Sequence, residues 1–480
     1  MKTMITKILI AAFVAFGLLP NANGQPADSL AHYLEEAARN NPLVMQRYFE
    51  YQAALQKVPQ VGSLPDPELS AGIFLSPMEL LGGNQVADLR LMQMFPWFGV
   101  LKSAKDEMAL MAKAKHESLR EAKLQLFFDV QRTWFEMLRI NEDIHIAERN
   151  MELLQTLERL TLERYKASGN GATPMASGSP AGGTSSPVTG MGGMASMGGS
   201  QAPAQVPAPA TPPMSGGSMG ASAATNGLAE LYRLQIEMAE TGNRTALLRS
   251  RQKTVAARFN SYLNRTPESP LSLPDSLTAM VPGFVPEALQ DSMLTNHPML
   301  RMLDYEQQSA DARKKMSTRM GYPMIGVGVN YSVINKSDMA MSSMNGKDMV
   351  MPMVSVSLPI YRKKYKAMQA EADLTKTATQ QNYQNTSNAL QTEYYQALEL
   401  FDDAGRRMAL YRKQSELANQ TSSIMTKSFS ASGTGLTDVL LIRQQLLDYD
   451  TKLAEAIADY NTAVAWLMKL SAQEETTGAK

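Results

Sequence analysis

From residue 100 to residue 168 the chain contains neither glycine nor proline, and helix-forming residues fill the stretch. At 1.5 Å per residue a helix of that length runs for roughly 100 Å, far beyond the three or four turns usual in globular proteins. A second stretch, 360 to 431, has no proline and one glycine, Gly405. Helices this long need a partner helix along their whole extent. Apolar residues spaced by threes and fours, as at Leu153, Leu157 and Leu160, supply a coiled seam for that pairing. Length alone suggests three domains, but these two stretches do not fit inside compact ones.

Both belong to a duplicated unit. Asn41-Pro42-Leu43 returns as His297-Pro298-Met299, and Phe95-Pro96-Trp97-Phe98 as Leu358-Pro359-Ile360-Tyr361. Tyr165-Lys166-Ala167-Ser168-Gly169 is matched by Phe429-Ser430-Ala431-Ser432-Gly433, and Gly227-Leu228-Ala229-Glu230-Leu231 by Gly435-Leu436-Thr437-Asp438-Val439. The landmarks keep their order in both halves, which chance matches would not do. Each half reads as a helix, two strands, a very long helix, a turn and a second long helix. Pro96 and Pro359 each end a strand, and each is expected to open the following helix at the position that tolerates proline.

The strands alternate strictly. Ile325, Val327, Val329, Tyr331 and Val333 are interleaved with Gly326, Gly328, Asn330 and Ser332. Val350, Val354, Val356 and Leu358 share a second strand with Ser355 and Ser357. The first half has Leu69, Ala71, Ile73 and Leu75, then Leu89, Leu91 and Phe95 opposite Arg90, Met92 and Met94. Segments of about 9–11 residues, apolar on one side and small or polar on the other, suit the wall of a transmembrane β-barrel. A half-buried sheet in a soluble domain is the other reading of any one strand. Four strands cannot close a barrel, and open edges are not tolerated in lipid, so a membrane-embedded sheet requires several chains.

The first residues read as an export signal over 1–24. Lys2 and Lys7 precede an apolar run from Ile8 to Leu19 that is too short to span a bilayer, and small residues Ala22 and Gly24 follow. The chain has no cysteine, which excludes disulfides, thiolate metal sites, a cysteine nucleophile and a lipid-modified cysteine anchor. Lys plus Arg and Asp plus Glu are equal at 46 each, so bulk charge gives no reason to expect nucleic acid as a partner. Histidines 32, 116, 145 and 297 are scattered, and no phosphate loop, nucleophile elbow or zinc spacing is present. Neither an enzymatic activity nor a cofactor is expected.

Two of these segments carry a family resemblance. Met94-Phe95-Pro96-Trp97-Phe98-Gly99 resembles the strand-to-helix junction of the heavy-metal (CusC-like) branch of the TolC family of outer-membrane efflux proteins. Ser432-Gly433-Thr434-Gly435-Leu436-Thr437-Asp438-Val439-Leu440 resembles the helix-tip turn of that family. The resemblance covers nearly the whole chain after the signal. It implies a mostly α protein with a small β part: a homotrimer sharing a twelve-stranded transmembrane barrel, four strands per chain, continued by a coiled α-helical periplasmic barrel. The implied location is the outer membrane of a Gram-negative bacterium, with outer-membrane lipid around the barrel. The implied partners are a periplasmic membrane-fusion adaptor and, through it, an inner-membrane RND pump. Adaptor docking would fall on the tips, at Ser168, Gly169, Gly227, Leu228, Ser432, Gly433, Gly435 and Leu436. Asp438 matches an acidic residue that narrows the pore entrance in relatives, and Glu230 is its equivalent in the first repeat; threefold copies would favour cations. Asp438 also reads simply as an acidic residue in a helix's first turn. The family's basic latch residue is replaced by Thr434.

The expected organisation is therefore a first repeat over 25–264, a Pro-rich linker over 265–283, a second repeat over 284–472 and a polar tail over 473–480. A Met/Gly/Pro/Ser-rich insert, 170–226, interrupts the first repeat and is expected to lack structure. Of the chain's 34 methionines, Met175, Met191, Met194, Met197, Met214 and Met219 lie in this insert, and Met339, Met341, Met344 and Met349 in or beside the loop between the last two strands. Thioethers are soft ligands that select Cu(I) or Ag(I), so these clusters are candidate metal-handling segments; generic flexible packing or a low-complexity spacer is the competing account. The functional expectation is a passive exit duct for efflux, with Cu(I), Ag(I) or other heavy-metal cations as cargo. A channel for organic solutes, drugs or type I protein secretion is the nearest alternative, and an exported coiled-coil structural or adhesion protein the alternative of another class.

Overall fold

The structure is a computed structural model that describes residues 30–80, 82–169, 222–339, 343–431 and 435–472. The signal, nearly all of the insert, Met341 and the tip residues Ser432, Gly433 and Thr434 lie outside the described residues.

The element order repeats. The first half runs α1 (Leu30–Asn40), α2 (Pro42–Gly62), β1 (Glu68–Leu80), β2 (Gly83–Phe95), α3 (Val100–Gly169) and α4 (Ser222–Tyr262). The second half, after a short 3-10 turn, runs α5 (Leu289–Asn296), α6 (Pro298–Met320), β3 (Met324–Asn335), β4 (Met349–Ser357), α7 (Arg362–Ser430) and α8 (Leu436–Ser471). The two proline-free stretches become helices of 70 and 69 residues, α3 and α7. No described helix is long and apolar enough to cross a membrane.

The duplicated Asn-Pro and His-Pro pairs turn out to be helix caps. Asn41 Oδ1 accepts from Leu43 N at 3.0 Å and Val44 N at 3.4 Å, with Pro42 opening α2 behind it. His297 does the same for α6, its Nδ1 accepting from Met299 N at 3.3 Å ahead of Pro298. Proline suits this place because the N–H it lacks would have no helical partner. His297 is 1% exposed, and burial, with Lys469 nearby, pushes its pKa down to about 4. The neighbouring Glu121 carboxyl, 3.8 Å away, is raised by its own burial. Both groups thus move toward their neutral forms. With Nδ1 already accepting a backbone N–H, the pair is not an ion pair.

The described residues form two compact units: 30–144, 248–415 and 448–472 in one, 145–169, 222–247 and 416–447 in the other. The larger has two cores that follow the repeat. Tyr33, Trp134 and Phe259 join α1, α3 and α4, with ring centroids 5.3–5.7 Å apart. Met293, Tyr394 and Leu467 stand in the corresponding cluster of α5, α7 and α8. The same unit carries one antiparallel sheet of order β1-β2-β3-β4. The smaller unit closes over Leu154, Leu157, Leu234, Phe429, Leu436 and Val439.

Candidate functional site in the sheet and the helix tips

The sheet is inside out. Along β3, Ile325, Val327, Val329 and Tyr331 are exposed while Gly326, Gly328, Asn330 and Ser332 are buried. Val327 is 51% exposed and Asn330 only 9%. The register carries this contrast across the strands: Leu69 pairs with Leu91, Leu91 with Val329, Leu89 with Tyr331 and Tyr331 with Val350. Ile73, Leu75 and Val354 extend the same outward band at 80, 97 and 74% exposure. Sheets with one wet face normally bury the apolar side; along β3 the polar side is the covered one. Gln85 donates to Ser332 Oγ at 3.2 Å on that face, and Asn330 Oδ1 lies there with no hydrogen-bond partner. Among the described residues, the outer strands β1 and β4 each leave one edge unpaired.

Each strand pair hands over to a long helix through the predicted junctions, though not as proline chemistry alone suggests. Pro96 and Pro359 do not open helices: α3 starts at Val100 and α7 at Arg362. Between Pro96 and α3 the chain turns, Val100 N donating to Trp97 O at 3.1 Å and Gly99 holding a φ of +82°. Gly99 O then accepts from Ser103 N at 3.0 Å and begins the helix. After Pro359, tight turns from Ile360 N to Leu358 O and from Arg362 N to Ile360 O, both 2.9 Å, delay α7 similarly. Arg319, in the last turn of α6, fastens the first junction by donating to Gly99 O and Ser103 Oγ, each at 2.8 Å. Trp97 stacks on Tyr322 with centroids 5.3 Å apart. Sequence reasoning missed Arg319, because nothing in its local sequence marks it as reaching across 220 positions.

At the tips, Leu436 and Val439 turn into the small core while Thr437 and Asp438 in the same first turn of α8 stay exposed. Glu230 is half-buried on α4 and Leu228 is exposed. Ser168, Gly169 and Gly227 fall within the bounds of α3 and α4, and Gly435 immediately precedes α8. Two arginines cross between helices here. Arg164 lies 4.7 Å from the centre of the Phe429 ring, and Arg233 donates to Thr437 Oγ1 at 3.1 Å. Sequence reasoning sought a basic latch after the tip glycine and missed both, since their partners sit on other helices.

Of the candidate metal residues, Met175, Met191, Met194, Met197, Met214, Met219 and Met341 lie outside the described residues. Met339, Met344 and Met349 are each more than half exposed. Among the described residues no group of three or more His, Asp or Glu could hold a metal ion.

Solved structures now bear directly on the fold. The outer-membrane channel OprN superposes over 92% of this chain and 89% of its own, with a TM-score of 0.67 at 15% identity. The chain has the fold of a TolC-type outer-membrane channel. CusC, described for its transmembrane channel formation, matches over 95% of each chain with a TM-score of 0.66 at 13% identity. VceC, an outer-membrane protein of Vibrio cholerae, matches over 92% of this chain and 96% of its own, with a TM-score of 0.65 at 13% identity. No family model and no curated protein matches by sequence. The TolC-type fold therefore rests on the arrangement of elements, two repeats of paired strands and long helices, and hardly on residue identity.

Proposed function

We propose that this protein is an exported outer-membrane channel, a passive duct with no catalytic step, completed by three copies of the chain. The observation that carries this reading is the inverted sheet. A band of Leu, Ile and Val faces outward over all four strands while the glycine, serine and asparagine of β3 are covered. Hydrocarbon is the environment in which that arrangement is stable. Two open strand edges in lipid must be sealed by neighbouring strands, so copies of the chain complete the wall. An elongated coiled-coil adhesin has no use for such a sheet.

The helix tips of the smaller unit would dock a periplasmic adaptor, itself coupled to an inner-membrane pump. Asp438, exposed beside the tip core, would repeat around the entrance with Glu230 and favour cations. Soft metal cations are the proposed cargo, supported by the abundance of thioethers in a chain with no cysteine. Purification in detergent followed by planar-bilayer recording tests the channel. Discrete conductance from a detergent-dependent trimer is expected; a monomer that stays in solution without amphiphile overturns it. Sensitivity of a deletion strain to organic toxicants but not to silver or copper would replace metals with organic cargo.

A further inference from the structure

The polar face of the sheet is lined with methionine in a way that neither the loop nor the insert explains. Met92 and Met94 of β2 stand on it, as do Met349, Met351 and Met353 of β4. The register sets Met92 and Met353 on either side of Gly328, and Met94 and Ser355 on either side of Gly326. The two glycines make a floor with sulfur-bearing walls. Ser355 Oγ lies 3.3 Å from Met92 Sδ and 3.9 Å from Met94 Sδ, so two thioethers converge on one hydroxyl. A Cβ on Gly326 would sit 2.6 Å from Met94 Sδ and would also strike the Ser355 hydroxyl, and one on Gly328 would meet Leu91 O at 2.6 Å. Glycine at 326 leaves the Met94 sulfur and the Ser355 hydroxyl room against the strand, and glycine at 328 lets the β2 backbone pass close by.

We propose that Met92, Met94 and Met353, with Ser355 beside them, form a binding site for a soft monovalent cation, Ag(I) or Cu(I), on the polar face of the sheet. Thioether sulfur is neutral and polarisable, binding these ions without proton release and holding Mg(II), Ca(II) or Zn(II) poorly. Uncharged ligands suit a transit station, because binding weak enough to release is what passage requires. Methionine side chains are unbranched and flexible, so the sulfurs can close on an ion from their resting positions. That the ion is cargo rests on the channel reading; the binding itself rests only on the sulfurs.

The test uses the full chain in detergent with silver nitrate as the probe. Calorimetric titration is expected to show that Met92→Leu/Met94→Leu loses one Ag(I) equivalent per chain relative to the wild type, an equivalent that Met339→Leu/Met344→Leu retains. Unchanged stoichiometry and affinity in the first variant overturns the site. The wild-type protein gives a second readout that needs no variant. Ag(I) should protect Met92, Met94 and Met353 from peroxide oxidation, read by peptide mass spectrometry, while leaving Met339 and Met344 susceptible. Equal oxidation with and without Ag(I) overturns the site as well. Bilayer conductance separates the two ideas: silver binding without conductance removes the duct and keeps the site, and conductance without silver binding does the reverse.

Discussion

Gly99 and His297 show how much of this architecture turns on single residues. At Gly99 the backbone is left-handed and the Arg319 guanidinium occupies the space a side chain would need. Gly99→Ala should therefore lower stability by about 1–3 kcal/mol, read as a reduced Tm in detergent. His297 brings a pH dependence that its repeat partner Asn41 lacks. Its folded pKa is about 4 against an ordinary 6.5, so between those values the unfolded chain takes up a proton that the folded chain refuses. Stability thus falls as pH drops from 6.5 toward 4, by on the order of 3 kcal/mol from this group. Glu121, raised by burial, acts with the opposite sign, its contribution being lost as pH rises. His297→Asn keeps a capping side chain and removes only the histidine's share. Thermal melts of the two proteins should converge near pH 4 to 5 from a wild-type advantage at pH 7, or show the variant overtaking; parallel curves would refute the assignment.

At the scale of elements, the sheet and the tip core make separate predictions. Val354→Arg places a charge in the outward apolar band, where the cost in a bilayer is about 2–4 kcal/mol; detergent-resistant oligomer on semi-native gels should diminish. Phe429→Ala empties a fully buried position and removes the ring against Arg164. Its cost, about 3 kcal/mol or more, should appear as faster hydrogen exchange in 145–169, 222–247 and 416–431, with 30–144 unaffected, because the tip core is its own unit. The elements themselves were legible in the sequence because their signals extend over many residues: strict alternation for strands, and long absence of proline, with glycine absent or single, for α3 and α7. The alternation even named the two faces of β3. It did not say which face was covered, nor that Met92 and Met94 would meet Ser355, since cross-strand register is not written in any one strand. The prolines misled for a related reason. Pro96 and Pro359 look like helix openers locally, yet the turns after them, held at the first junction by Arg319 from α6, postpone the helices. The prolines that do open helices, Pro42 and Pro298, were visible as repeat landmarks without their capping role.

The whole molecule is a duplicated half with one modification. Each half contributes two strands and two long helices around its own core, and the halves meet at the pairing of β2 with β3. Asp438→Asn, exposed and outside all three packing clusters, should leave folding intact while lowering the cation-to-anion permeability ratio in bilayers; an unchanged reversal potential would remove it from the conduction path. The outward band on the sheet also governs the protein's life before assembly. On the channel reading proposed above, a freshly exported chain would carry a greasy, open-edged ribbon through water, and such ribbons stick to one another. Secretion faster than insertion should therefore fill the periplasm with clumped chains, making safe yield a matter of pacing and of escorts that shield the ribbon until lipid and sister strands take over.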